Sequence, residues 1–125
     1  MAIEPQDFVH FAEQVAATDE AGMRAAVSRA YYGAFHGTLR FEQALPSGGI
    51  PSREEGMHGM LYQRLLAPTI AKEDRRHAVS RRLGVMGQQL HALRIRADYR
   101  LNDTISEGDR DQAILQARKI LELAA

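Results

Sequence analysis

Arg29 and His36 stand seven residues apart in a segment with helical character. On a helix that is about two turns, so both side chains leave the same face within about 20° of each other. Arg29 supplies a permanent cation and His36 a group that exchanges protons near neutral pH, a pairing suited to an anion such as a phosphodiester. Arg40 carries that face one turn further. Gly33 lies between the pair, with Ala25 and Ala26 a turn below, and small side chains there let a second backbone or a phosphate come close. The same residues also suit a structural role, with Arg29 against a carboxylate and His36 hydrogen-bonded inside the protein. Tyr32, turned about 60° from Arg29, is the aromatic best placed to meet a base, while Tyr31 and Tyr99 read as core.

A second group lies later in the chain. Arg94 and Asp98 are four residues apart, the spacing of a helical ion pair, and read as structural first. His91, one turn before Arg94, is within reach of Asp98 as a hydrogen-bond partner. His58, among Met57, Met60, Leu61 and Leu65, is either a structural histidine or a contributor to a composite site with Arg29. His10 and His77 are expected at the surface. The five histidines show no metal-ligand spacing, and Ser47-Gly48-Gly49 is too short and lacks the lysine of a phosphate-cradling loop. Neither a metal nor a cofactor is therefore expected. With no cysteine, disulfides and thiol catalysis are excluded.

The elements that must position these groups read as helices. Pro5 and Asp7 open the first, in which Phe8, Phe11, Ala12 and Val15 recur at helical spacing. Thr18 or Asp19 caps a second that runs to about Leu45, with Met23, Val27, Tyr31, Ala34 and Thr38 on its core face. Leu45-Pro46-Ser47-Gly48-Gly49-Ile50-Pro51 is a break. Ser52 and Glu55 have the spacing of a capping box and predict a third helix from there to Pro68. A fourth covers about 71–100, with Val79, Leu83, Met86, Leu90, Leu93, Ala97 and Leu101 as one apolar seam. Ser106 and Asp109 cap the last, to about Leu123. Strand alternation and hairpin turns are missing, so the fold expected is an all-α, up-and-down bundle of four to five helices in a single domain over residues 1–125.

The 125 residues allow one core, and 45% apolar with 26% charged residues is a globular composition. Met1 to Asp7 lack the features of a signal peptide and no run approaches about 20 apolar residues, so a cytoplasmic, membrane-free protein is expected. Net charge is zero, yet residues 72–100 carry a net +5 that the rest of the chain balances. Such a stripe suits a phosphate backbone, an acidic partner, the chain's own acidic half or simply solvent.

Ser-Arg-Ala-Tyr-Tyr-Gly-Ala-Phe-His at 28–36, followed by Leu-Arg-Ile-Arg-Ala-Asp-Tyr at 93–99, resembles the HEPN family over about residues 20–120. The resemblance implies a helical bundle that dimerises. Many such proteins are metal-independent ribonucleases in which an Arg and a His with four to six residues between them, paired across a homodimer, cleave RNA. Arg29 and His36, with six residues between them, match that spacing. His36 would then exchange protons and Arg29 would neutralise the phosphate, leaving a 2′,3′-cyclic phosphate. The ribonuclease branches generally carry the motif on the later helix, where this chain has Arg94, Asp98 and Tyr99 and no following histidine. Some HEPN toxins also have a tyrosine after the motif histidine that a partner nucleotidyltransferase modifies; position 38 here is Thr38. Two functions follow from the resemblance. One is an RNA-cleaving toxin of a toxin–antitoxin pair; the other is a non-catalytic module that binds a nucleotide or a partner nucleotidyltransferase.

Overall fold

The computed structural model describes residues 2–15 and 19–125, and the architecture is an all-helical bundle. Its helices are α1 (Pro5–Gln14), α2 (Glu20–Gln43), α3 (Met57–Leu66), α4 (Arg75–Tyr99) and α5 (Glu107–Ala124). Helix α2 touches all four others and is the axis of the fold. Its Val27, Tyr31, Ala34 and Thr38 are buried as the periodicity predicts, and Met23 packs partly buried at the same core. Leu61, Leu65, Leu83 and Leu90 close the core from α3 and α4, each burial contributing about 1.5–3 kcal/mol.

The caps explain where the helices begin. The Asp19 carboxylate accepts from the Gly22 amide at 2.8 Å, which starts α2; Thr18, the other expected cap, lies outside the described residues. The Ser106–Asp109 box forms, with reciprocal bonds of 3.0 and 3.1 Å. The Ser52–Glu55 box does not. Helix α3 starts later, with Gly56 as its N-cap, because Ser52, Arg53 and Glu55 fold back onto the side chain of Gln63. Gln63 Oε1 accepts from the Arg53 amide at 2.9 Å, and its Nε2 donates to Glu55 at 2.6 Å. A buried amide satisfied on both sides outweighs a local cap.

Two further expectations are corrected. In α1 the buried residues are Pro5, Val9 and Ala12, and Phe11 is exposed, so the buried face is rotated from the one the aromatics suggest. The α4 seam holds from Val79 to Ala97, but Leu101 lies past the helix end and is 79% exposed. The end is set from α2. The Arg24 guanidinium donates to the carbonyls of Arg96 and Ala97 at 3.0 Å and of Arg100 at 3.2 Å, and also to that of Asp103. Carbonyls near a helix end are open to a further donor, those of Arg96 and Arg100 already accepting from the Arg100 and Asp103 amides, and the cation also suits the negative end of the helix dipole. Finally, the face around Gly33 is filled by α1: a side chain there would meet the Pro5 carbonyl at 2.7 Å and Val9 at 2.8 Å. The close approach at Gly33 is made within the chain, by α1.

The basic stretch 72–100 is divided by the fold. Arg76 pairs with Asp74 at 2.7 Å, Arg94 with Asp98 at 2.8 Å, and Arg96 faces Asp103 at 3.5 Å. Lys72, Arg75, Arg81, Arg82 and Arg100 are exposed. His77 is half-buried rather than solvated, and His10 is exposed.

Candidate functional site

The two segments 28–36 and 93–99 lie against each other where α2 crosses α4. Ser28 Oγ donates to Asp98 at 3.1 Å, Arg94 Nε donates to the same carboxylate oxygen at 2.8 Å, and Arg94 Nη2 donates to the Tyr32 hydroxyl at 2.8 Å. The expected Arg94–Asp98 ion pair is therefore present, with Tyr32 and Ser28 bound to it. His91 takes no part in it. Its ring stacks on Tyr31 at 5.4 Å and on His58 at 5.5 Å between centroids, away from the predicted Asp98 contact.

Tyr32 is the meeting point. The guanidinium carbons of Arg29 and Arg94 lie 4.9 and 5.2 Å from its ring centroid, and the rings of His58 and His36 lie at 6.0 and 6.5 Å. Arg29 and His36 also share the ring of Phe8 on α1, at 5.9 and 5.7 Å. Both are thus on one face, as their spacing requires. Arg29 has Ser28 Oγ, at 3.5 Å, as its hydrogen-bond partner among the described residues. His36 is exposed. Arg40 is drawn aside by Glu4, 2.5 Å away, and lines a shallow groove with His36 and the start of α1. Tyr99, expected in the core, is 64% exposed, with Arg94 5.3 Å from its ring centre.

Beneath this surface runs a buried hydrogen-bond chain. The Tyr31 hydroxyl lies 2.6 Å from Tyr62 OH and 2.6 Å from His58 Nδ1, tying α2 to α3. Burial, reinforced by Tyr62, pushes the Tyr31 phenol far above its ordinary range, and burial raises Tyr62 as well, so both stay protonated. His58 is also stacked on Phe35 at 4.1 Å. Burial, then the neighbouring His91, Arg94 and His36, hold His58 below the usual histidine value; burial and Arg94 do the same for His91. Near neutral pH these two rings are uncharged beside the Arg94 guanidinium.

His58 and His91 open onto a pocket of about 370 Å³ between the start of α3 and the middle of α4, lined also by Glu55, Met57, Tyr62 and Gln88. Tyr62 is the residue that sequence reasoning left out of the site, and His91 was read only as a partner of Asp98. Tyr62 follows His58 by four residues and so shares its helix face, a usable signal. His91 meets His58 only through the packing of α3 on α4. That packing is tight because position 87 is glycine: a side chain there would meet the Tyr62 ring at 2.3 Å.

No protein-family model, curated protein or solved structure matches this chain.

Proposed function

We propose that this chain is an RNA-directed protein of HEPN type, acting as a metal-independent endoribonuclease of the kind found as the toxin of a toxin–antitoxin pair. The observation that carries the reading is the Tyr32 cluster: two guanidinium groups and two imidazoles around one aromatic ring. Cleavage of a phosphodiester by its own 2′-hydroxyl needs cations for the phosphate oxygens, a base for the hydroxyl proton and an acid for the leaving oxygen. Arg29, with no carboxylate of its own among the described residues, faces the phosphate, and Arg94 adds its charge from behind Tyr32. One imidazole of His36 and His58 takes the 2′-hydroxyl proton as the O2′–P bond forms. The other protonates the 5′-oxygen as the P–O5′ bond breaks, leaving a 2′,3′-cyclic phosphate. His58, neutral near pH 7, suits the base, which leaves the proton donor's place to His36.

A cytoplasmic homodimer belongs to this reading, with the two clusters near the dyad.

Purified protein incubated with mixed RNA is expected to cleave it equally well in EDTA. His36→Ala should lower the rate by about 10²–10⁴-fold with helical content unchanged; undiminished cleavage removes His36 from the reaction.

One observation favours the second reading, a non-catalytic module that binds a nucleotide or a partner nucleotidyltransferase. Arg94 is already engaged by Asp98 and Tyr32, which leaves Arg29 as the cation free of a carboxylate partner at the cluster among the described residues. That reading requires saturable binding at the Arg29 face and no turnover by a folded protein.

A further inference from the structure

The arginines of α4 divide into two sets. Arg76, Arg94 and Arg96 are held by carboxylates of the chain. Arg81 and Arg82 are exposed, with no carboxylate partner among the described residues, and Lys119 on α5 stands in the same way. The two free arginines flank an apolar groove of about 400 Å³ on the outer side of α4. Its floor is Leu66, from the end of α3, with Ala78, Val85 and Met86. Leu66 lies against α4 because position 84 is glycine: a side chain there would meet Leu66 at 2.8 Å. Val85 is exposed, at a place where the outward face of a helix is ordinarily polar. Past Arg82 and Met86 the surface continues into a second hollow of about 300 Å³, completed from α5 by Lys119, Glu122 and Leu123.

Three cations and one carboxylate thus border a hydrocarbon floor, and the two features together decide what covers it. A second copy meeting this one about a dyad through the groove would set Arg81, Arg82 and Lys119 against the same three cations, with Glu122 alone to offset them. Single-stranded RNA would satisfy the cations. The lining holds no aromatic ring on which a base could stack, however, and RNA would leave Leu66, Val85 and Met86 wet. A peptide with carboxylates beside apolar side chains satisfies rim and floor at once. Both hollows lie at the small end of the roughly 300–1,000 Å³ typical of binding pockets, room for a few side chains.

We propose that this groove docks a short acidic segment of a partner protein. Its apolar side chains sit against Leu66, Val85 and Met86, and its carboxylates pair with Arg81, Arg82 and Lys119. None of these residues belongs to the Tyr32 cluster, so the docking surface stands whether or not the cluster cleaves RNA.

The probe is a random dodecapeptide library displayed on phage and selected on the full chain, with the enriched peptides then synthesised and titrated by fluorescence anisotropy. The enriched sequences are expected to be acidic and to carry at least two large aliphatic residues. Arg81→Glu/Arg82→Glu should weaken them at least about tenfold with helical content unchanged, and Val85→Ser about threefold or more. Raising the salt to about 0.5 M should weaken them further. Failure to enrich, enrichment of neutral or basic peptides, or acidic peptides that bind Arg81→Glu/Arg82→Glu as well as the parent would each overturn the proposal. An all-uridine hexanucleotide that binds tighter than the peptides and is lost in Arg81→Glu/Arg82→Glu would also overturn it, by making the rim a seat for a phosphate backbone. A homodimer whose dissociation constant rises in Val85→Ser would do the same, by making the groove a contact between copies.

Discussion

Tyr31 and Tyr32 are adjacent in sequence and do opposite work. Tyr32 offers its ring to the surface charges, while Tyr31, fully buried, holds His58 from below. Tyr31→Phe keeps the ring and removes the hydroxyl, leaving Tyr62 OH and His58 Nδ1 without their shared partner. Because Tyr62 is buried, the expected cost is about 1–3 kcal/mol in urea denaturation, with the fold retained. A Tyr31→Phe protein as stable as the parent would show that the chain of hydroxyls carries no net energy. At this scale the sequence was informative wherever partners share a helix. Arg29 with His36 and Arg94 with Asp98 meet the geometry that spacing alone predicts. Tyr99 was misjudged, because it is the last residue of its helix and is left at the rim. His91 was misjudged because its partners, Tyr31 and His58, come from other helices.

Among the elements, the α3–α4 contact governs the site, since α3 brings His58 and Tyr62 and α4 brings His91 and Arg94. Gly87 sets how close the two helices come. Gly87→Ala gains up to about 1 kcal/mol of helix propensity, but the new methyl falls on the body of a buried tyrosine ring. Overpacking of that kind costs about 1–3 kcal/mol, so a net loss is expected by thermal or urea melting, and a more stable variant would mean the helices part easily. Helix existence was legible from apolar periodicity and the break at 45–51. The start of α3 was not, because Gln63, a residue inside the helix, recruits the segment that would have capped it. The rotation of α1 escaped for a related reason: Val9 and Pro5 fit against Gly33, and that fit outranks burying Phe11.

Taken as a whole molecule, the bundle should be sensitive to mild acid. His58 and His91 are held below the usual histidine value of about 6.5, so the unfolded chain binds more protons than the folded one below that pH. Their contribution is complete above about pH 6.5 and is lost as pH falls through and beneath it. Urea midpoints should therefore decline from pH 7 to pH 5, and His91→Gln should flatten the decline; an unchanged slope would place the acid sensitivity elsewhere. The homodimer is a separate expectation at this scale. Sedimentation equilibrium at micromolar concentration should give twice the 13.9 kDa chain mass, and a clean monomer would remove the paired-cluster geometry. Arg24 has a consequence that concerns neither chemistry nor assembly. One side chain near the start of α2 holds four carbonyls 72 to 79 residues away, so the end of α4 and the turn after it cannot loosen while α2 stays docked. Protease nicking near Leu101, though that residue stands in solvent, should thus report the opening of α2: the two distant segments form one cooperative unit of local unfolding.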